Sequence, residues 1–182
     1  MPVETEIKLR LRGEPDDVRA VLARHGYHVT RRRELEVDQL FDRAGELRTG
    51  DRLLRIRSAG GRCVLTYKGP ATRASYKSRE EIEVEVSDHA ALSLILGALG
   101  FSPAFVYEKY RTKFTSPDQR GVVTLDETPI GSFLELEGPE DWIDTTAQSL
   151  GYTAEEYIVA SYATLYREYC GQHGGVLSAM KF

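Results

Sequence analysis

The stretch SREEIEVEV, residues 78–86, is the part of the sequence that decides how the chain folds. As a β-strand it would turn successive side chains to opposite faces. One face would then carry only ionised groups: Arg79, Glu81, Glu83 and Glu85. The other face would be apolar: Ile82, Val84 and Val86. The fold therefore depends on which of these two faces is turned inward.

The same alternation of charged and apolar side chains recurs along the chain. It is present in VETEIKLRL (3–11), RLLRIRS (52–58), CVLTYKG (63–69), YEKYRTKF (107–114), VVTLDE (122–127) and SFLELEG (132–138). A shorter run, EVDQLFD (36–42), indicates a further strand that carries Asp38. Alternation this regular predicts strands with two unlike faces.

Helices are predicted between the strands. Their sequences are EPDDVRAVLARHG (14–26), SDHAALSLILGALG (87–100), PEDWIDTTAQSLG (139–151) and TAEEYIVASYATLYREYC (153–170). The last begins with a capping box formed by Thr153 and Glu156. We find no repeat and no linker, so residues 1–170 are expected to form one domain. The glycine-rich residues 171–182 are expected to be a flexible tail.

The composition excludes several classes of protein. The 182 residues include 24 Lys and Arg against 28 Asp and Glu, a net charge of -4, which argues against a general nucleic-acid-binding surface. No stretch reaches the roughly 18 apolar residues of a membrane span. The two cysteines have no metal-type spacing, so neither a disulfide framework nor a zinc site is expected. We therefore expect a cytoplasmic protein that binds neither membrane nor nucleic acid.

The helices decide where the charged strand faces lie. A single strand of this kind would turn its charged face to water. Here the amphipathic helices need apolar partners, and the apolar strand faces provide them. If the sheet closes, the charged faces then line its interior. The acids expected there are Glu4, Glu6, Glu81, Glu83, Glu85, Asp126, Glu135 and Glu137. The bases are Lys8, Arg10, Arg55, Arg57, Lys68, Arg79, Lys109 and Arg111.

Removing an ion from water costs several kcal/mol of free energy. An interior with so many charges must therefore contain water or be filled by a charged ligand. Arginine and lysine suit phosphate oxygens, and carboxylates without histidine or thiol suit Mg²⁺ or Mn²⁺. Glu4 and Glu6 would stand about 6.6 Å apart along a strand, too far for a simple chelate. Glu135 and Glu137 would complete a four-carboxylate frame. The pattern predicts a tunnel for a polyphosphate with its metal.

These residues also resemble a known family. ETEIK, an ExExK pattern at Glu4, Glu6 and Lys8, is similar to the signature of the CYTH superfamily, the triphosphate tunnel metalloenzymes. LLRIR, LTYKGP, SREEIEVEV, YEKYRTKF, TLDE, FLELEG and SYATLY follow in the family's order. The resemblance covers nearly the whole chain and looks closest to the class IV adenylyl cyclase group.

The resemblance implies an α+β fold, an eight-stranded antiparallel closed barrel with flanking helices. It implies that Mg²⁺ or Mn²⁺ is held by Glu4, Glu6, Glu135 and Glu137, with Asp126 as a helper. It implies that the triphosphate is bound by Lys8, Arg55, Arg57, Lys68, Lys109 and Arg111, with Arg79 and Glu81 in the tunnel wall. Catalysis is expected of Lys8, Lys68, Lys109 and Arg111. Because relatives are often dimers, a homodimer is also expected.

Two reactions fit one tunnel. In the first, ATP is converted to cyclic AMP and pyrophosphate. In the second, water hydrolyses a nucleoside triphosphate, thiamine triphosphate or inorganic triphosphate. A third possibility is a noncatalytic protein that binds polyphosphate or nucleotide. The sequence specifies the charges but leaves these alternatives open.

Overall fold

The computed structural model describes residues 3–182, and a single antiparallel barrel dominates them. Its strands are β1 Val3–Arg10, β2 His28–Asp42, β3 Leu53–Ala59, β4 Arg62–Lys68, β5 Thr72–Arg73, β6 Lys77–Val86, β7 Ser102–Thr115, β8 Val122–Thr128, β9 Gly131–Glu137 and β10 Ala179–Met180. The helices are α1 Pro15–Arg24, α2 Glu46–Thr49, α3 His89–Ala98, α4 Glu140–Ser149 and α5 Tyr162–His173, with a 3₁₀ turn at Ala154–Glu156.

The barrel closes through its first strand. Neighbouring strands follow the order β1-β9-β8-β7-β2-β3-β4-β6, and β6 pairs back with β1. In these two closing pairs, Glu6 of β1 lies opposite Glu137 of β9 on one side and Lys77 of β6 on the other. All eight pairings around the ring are antiparallel. The predicted eight-stranded barrel is therefore confirmed.

The apolar strand faces point outward and are covered by helices. Ile7 of β1 and Leu136 of β9 are fully buried in one cluster with Leu22 of α1 and Ile143 of α4. Burying one such side chain contributes roughly 1.5–3 kcal/mol. A smaller cluster packs Leu96 of α3 onto the outer face of β3. The prediction that apolar faces lie beneath helices is confirmed for these strands.

The outer face of β6 is an exception. Ile82 and Val84 are 47% and 54% exposed, so no helix covers the apolar face of residues 78–86.

Among the helices in residues 3–182, none has the length and apolar character required to cross a bilayer.

The C-terminal helix is shorter than predicted. The capping box at Thr153 and Glu156 is present, but it opens only the 3₁₀ turn. Ile158 then exchanges two backbone hydrogen bonds of 2.8 Å with Lys8, on the edge of β1 beyond its pairing with β6. Ser161 caps α5 by accepting a hydrogen bond from the backbone of Thr164. The continuous helix predicted over 153–170 is wrong because this strand edge competes for the backbone.

The inner face of the barrel becomes apolar where α5 lies. Phe105 and Tyr107 alternate with Lys109 along β7, so they share its inner face. They pack with Phe133 and with Tyr162 of α5 in one buried cluster. Helix α5 therefore covers one end of the interior.

The last residues have contacts that their glycine-rich sequence does not indicate. Helix α5 continues through Gly171 to His173, and β10 adds to β7 in parallel. Met180 is fully buried against the α5 cluster. The domain boundary at residue 170 and the flexibility of the tail stay predictions.

Candidate functional site

A charged cavity of about 280 Å³ lies inside the barrel. It brings together most of the side chains predicted to face the interior. The predicted acids that line it are Glu4, Glu6, Glu81, Glu83, Glu135 and Glu137. The predicted bases that line it are Lys8, Arg55, Arg57, Lys68, Arg79, Lys109 and Arg111. We call Arg55, Arg57, Lys109 and Arg111, on β3 and β7, the basic wall. We call Glu4, Glu6, Glu135 and Glu137, on β1 and β9, the acidic wall.

Two exposed side chains that were expected inside, Arg10 and Glu85, do not line the cavity. Arg10 is the last residue of β1, and its guanidinium carbon lies 4.9 Å from the ring centroid of Phe133. Glu85 is near the end of β6 and borders a further cavity that adjoins the charged one. Strand alternation correctly assigned their face, but both lie beyond the part of the strand that encloses the cavity. Their placement in the interior was wrong.

Asp126 lies behind the cavity wall and is fully buried. Its carboxylate accepts hydrogen bonds from Lys109 Nζ (2.9 Å), Arg111 Nε (2.6 Å) and Tyr162 OH (2.7 Å). Burial would raise the pKa of Asp126, but Arg111 and Lys109 lower it below its ordinary value. Asp126 thus orients two bases of the basic wall, and its role as a metal ligand stays a prediction.

The arginines of β3 are held in the same way. Arg57 donates two hydrogen bonds, of 2.8 and 2.9 Å, to the fully buried carboxylate of Asp38. Arg55 Nη2 donates to Thr66 at 3.0 Å. Although burial opposes it, the pKa of Asp38 is lowered by Arg57 and Arg55. Ionised carboxylates of Asp38 and Asp126 therefore hold the basic wall in place by hydrogen bonds. Sequence analysis did not assign this role to either residue.

Glu36 is a fully buried carboxylate without a hydrogen bond. The charged atoms nearest to its oxygens are Arg57 Nη1 at 3.1 Å, Arg31 Nη1 at 3.6 Å, and Lys109 Nζ and Arg111 Nε, both at 3.7 Å. A carboxylate among four cations is attracted to all of them, yet none is aligned to donate to it. Glu36 therefore neutralises part of the charge of these bases without fixing their orientation by hydrogen bonds.

Lys8 and Lys77 neutralise the middle of the acidic wall. Lys8 Nζ lies 3.3 Å from Glu6 and 3.2 Å from Glu135, and Lys77 Nζ lies 2.5 Å from Glu6. Burial would lower the pKa of Lys8, but Glu135 and Glu6 raise it above its ordinary value. Both lysines are at most 5% exposed, so these ion pairs are enclosed.

The remaining acids crowd one another. Lys68 contacts Glu4 and lies 2.7 Å from Glu81, so one lysine lies between these two carboxylates. Burial and Glu4 raise the pKa of Glu81 to about 8. Glu137 reaches solvent, yet loss of hydration, Glu4 and Glu135 raise its pKa to about 7. This part of the site carries more negative charge than its bases neutralise.

The acidic wall fits a hard divalent cation by its chemistry. Its donors are all carboxylate oxygens, which Mg²⁺ and Mn²⁺ prefer. Glu6 and Glu137 are direct cross-strand partners, an arrangement that is unfavourable for two like charges unless a cation lies between them. As the side chains stand, no three acidic, histidine or cysteine groups within residues 3–182 converge to form a metal site. Glu4 and Glu6 would have to turn from their lysines to ligate a metal.

Arg79 lines the cavity, but its guanidinium points to the backbone. Its Nε donates to the carbonyl of Gly69 at 2.8 Å, and its Nη2 donates to that of Asp51 at 2.8 Å. It thereby fastens the loop after β4 to the turn before β3. Substrate binding by Arg79, like the assigned roles of the other predicted residues, stays a prediction.

Several lining residues were missed by sequence analysis. They are Arg31, Glu36, Lys77, Tyr107 and Lys113. Lys77 continues the alternation of Arg79 and Glu81 by one step, so this signal was present. Arg31 was hidden because β2 has irregular register on both sides of it. Ser161 and Tyr162, at the start of α5, also line the cavity, and Tyr162 belongs to the buried α5 cluster.

The family of the chain follows from comparison with known proteins. The family model of the CYTH domain matches residues 2–162, so the chain belongs to the CYTH domain family. The protein named "Putative adenylate cyclase MJ0240" of Methanocaldococcus jannaschii is 31% identical over 135 residues, which are 74% of this chain and 76% of the relative. The family resemblance seen in the sequence is confirmed.

Solved structures share the barrel. A Vibrio parahaemolyticus protein superposes with a TM-score of 0.80 at 18% identity, covering 90% of this chain and 97% of that one. The PH1819 protein of Pyrococcus horikoshii gives a TM-score of 0.72 at 26% identity, covering 91% of this chain and 99% of that one. These similarities support the fold independently of the sequence motifs.

Proposed function

We propose that this protein is an enzyme that binds a triphosphate with Mg²⁺ or Mn²⁺ in the charged cavity and converts ATP to cyclic AMP and pyrophosphate. The observation that carries the proposal is the basic wall. Buried carboxylates orient its arginines and its lysine along the charged cavity. The relative at 31% identity, named for adenylate cyclase, supports the choice of reaction.

The residues of the cavity divide the work of binding. Arginines suit phosphate oxygens because they donate two parallel hydrogen bonds, so Arg55, Arg57 and Arg111 would hold the triphosphate. Lys8 and Lys68 lie between the two walls, within reach of both carboxylates and substrate. Such fixed charges stabilise the negative charge that develops during phosphoryl transfer. Glu4, Glu6, Glu135 and Glu137 would hold the metal, and Asp126, behind the basic wall, would position Lys109 and Arg111.

The cyclase reaction joins the ribose 3′-oxygen to the α-phosphorus. The bond from that phosphorus to the β-phosphate oxygen breaks, pyrophosphate leaves, and the 3′-hydroxyl proton is released. A bound divalent metal would supply charge neutralisation and a lowered pKa for the attacking hydroxyl. The residues described here bind the leaving pyrophosphate and balance its charge.

Hydrolysis of a triphosphate is the second candidate. A further cavity of about 280 Å³ adjoins the charged one and shares Arg31, Arg57 and Glu83 with it. This polar opening gives water a route to the basic wall. Water attacking the terminal phosphorus would then replace the ribose hydroxyl as the nucleophile.

Product analysis distinguishes the candidates. The protein is incubated with ATP or inorganic triphosphate and either Mg²⁺ or Mn²⁺, and products are separated by chromatography. Cyclic AMP with pyrophosphate supports the proposal, whereas ADP with orthophosphate supports hydrolysis. Arg111→Ala should abolish either reaction, and Arg32→Ala, an exposed arginine on β2, is the matched control. Binding without any product would leave a noncatalytic protein and overturn the proposal.

A further inference from the structure

Lys77 is the first residue of β6, and it lies directly across from Glu6 in the strand pair that closes the barrel. Its ammonium nitrogen lies 2.5 Å from Oε1 of Glu6, and the side chain is buried. Within residues 3–182, Glu6 is the only acid with which it forms an ion pair. The function proposed above leaves this buried lysine without a role.

Two lysines contact Glu6, but they are held differently. Lys8 Nζ lies 3.3 Å from Glu6 and 3.2 Å from Glu135, so carboxylates of two neighbouring strands hold it. Lys77 has a single partner, and a lysine side chain carries a compact charge on a flexible stem. Lys77 is therefore the lysine that can move away from Glu6 by breaking only one ion pair.

The position of Lys77 opposes the binding of a metal. Both lysines approach the same oxygen of Glu6, Oε1. A divalent cation on this carboxylate group would meet two positive charges, and repulsion over such short distances is strong in an enclosed site. Glu137, across from Glu6 on β9, forms no ion pair in the described part of the chain. Lys77 thus neutralises Glu6 in part but opposes the cation that would balance both acids.

We propose that Lys77 sets the metal affinity of the acidic wall by competing with the divalent cation for Glu6. Until a metal binds, the ammonium group of Lys77 supplies part of the positive charge that Glu6 needs. When Mg²⁺ or Mn²⁺ binds, Lys77 withdraws from Glu6 into the charged cavity, which it also lines. This inference rests on the proposed function, because it concerns the metal of that reaction.

The first test measures the Mn²⁺ affinity of variants by electron paramagnetic resonance of free Mn²⁺, without substrate. Lys77→Met removes the ammonium group but keeps an unbranched side chain, and Glu6 retains Lys8 as its partner. This change should tighten Mn²⁺ binding at least about tenfold, because the competing charge is gone. Lys77→Arg keeps a positive charge beside Glu6, so its Mn²⁺ affinity should stay within about threefold of the parent chain.

Lys113→Met is the matched control. Lys113 lines the same cavity, but within residues 3–182 it forms no ion pair. Its removal takes the same charge from the cavity without freeing Glu6, so Mn²⁺ binding should tighten by less than about threefold. Equal gains in Lys77→Met and Lys113→Met would mean that only the total charge matters, and would overturn the proposal. An unchanged affinity in Lys77→Met would overturn it as well.

A second measurement uses the unaltered chain, so it does not depend on the folding of a variant. Brief acetylation with acetic anhydride, read by mass spectrometry, reports which lysine amines are free to react. Saturating Mn²⁺ should raise the acetylation of Lys77 at least about threefold, because an amine released from its ion pair loses its proton more readily. The exposed Lys181 should not change.

Unchanged acetylation of Lys77 in saturating Mn²⁺ would show that this lysine does not leave Glu6, and would overturn the proposal. Failure of the proposed reaction gives a different result. If the chain binds Mn²⁺ but forms no cyclic AMP from ATP, the cyclase proposal is wrong, while the affinity ratio of Lys77→Met to the parent chain still decides the role of Lys77.

Discussion

The basic and acidic walls face the same cavity but are built differently. Each base of the basic wall pairs with a fully buried carboxylate, chiefly that of Asp38 or Asp126. The acidic wall is backed only in part, by Lys8, Lys68 and Lys77. Glu6 and Glu137 face each other across neighbouring strands, and Glu137 forms no ion pair with any residue in 3–182. One wall is balanced internally, and the other has excess negative charge.

The two walls therefore depend on different partners for their stability. An unpaired buried charge lowers the free energy of unfolding by several kcal/mol. The folded chain therefore depends on the carboxylates that pair with the basic wall. In the acidic wall Glu137 is exposed, and its raised pKa allows this carboxyl group to be protonated near neutral pH. The ion pairs of the basic wall thus stabilise the folded chain, whereas the charge of the acidic wall is balanced only when a cation binds.

The largest expected effect is on folding. Asp126→Asn should lower the free energy of unfolding by about 3–5 kcal/mol, because it leaves Lys109 and Arg111 buried without their counter-charge. Glu137→Gln should cost less than about 1 kcal/mol, since it removes a repulsive charge. Urea unfolding in EDTA measures both. Equal losses in the two variants would show that the walls do not differ as described.

The next effect is on metal binding. Glu137→Gln should weaken Mn²⁺ binding at least about tenfold, because affinity for hard cations depends on the number of charged oxygen ligands. Electron paramagnetic resonance of free Mn²⁺ measures the affinity. Glu85→Gln is the control, because Glu85 is exposed away from the cavity. An unchanged affinity in Glu137→Gln would remove Glu137 from the metal site.

The walls should also respond to pH with opposite sign. The pKa of Glu137 is raised from its ordinary 4.5 to about 7, so the folded state binds more protons than the unfolded state between these values. Its contribution to stability therefore falls as pH rises through that window. The pKa of Asp38 is lowered, so its contribution is present above about pH 4 and is lost on acidification.

Urea unfolding at pH 5 and pH 8 checks this prediction. In EDTA, the stabilising contribution of the acidic wall should be smaller at pH 8, and Glu137→Gln should flatten the difference. Mn²⁺ should restore stability mainly at pH 8, because the metal displaces protons at the lower pH. A Glu137→Gln variant with the pH dependence of the parent chain would contradict the assignment.

Much of the barrel was predictable because strand alternation is a local pattern. Alternation placed Lys8, Arg55 and Arg111 on the charged strand faces, and the helices supplied the argument that these faces turn inward. The burial of Asp126 was not predictable, because alternation gives the face of a residue but not what lies above it. The break before α5 was also hidden, since Ile158 pairs with Lys8, which is far away in sequence. Contacts of this kind depend on the closed barrel.

The smallest expected effect is on triphosphate binding and concerns Glu36. This carboxylate lies beside the basic wall but forms no hydrogen bond with it. A triphosphate entering the cavity must share Arg57, Lys109 and Arg111 with this carboxylate. Glu36→Gln should therefore tighten inorganic triphosphate binding about threefold to tenfold, since it removes a competing negative charge at short range. The same change should destabilise the ligand-free protein, because the bases lose part of their counter-charge.

Calorimetry with inorganic triphosphate and urea unfolding of the Glu36→Gln protein test these two effects together. Glu34→Gln is the control, because Glu34 occupies the same face of β2 but pairs with Arg31 and Arg62 near the outside. Tighter binding with lower stability would mean that Glu36 occupies part of the space that the phosphates need. Weaker binding would instead mean that Glu36 orients the bases for the ligand, as Asp38 and Asp126 do, and the basic wall would then have no internal competitor.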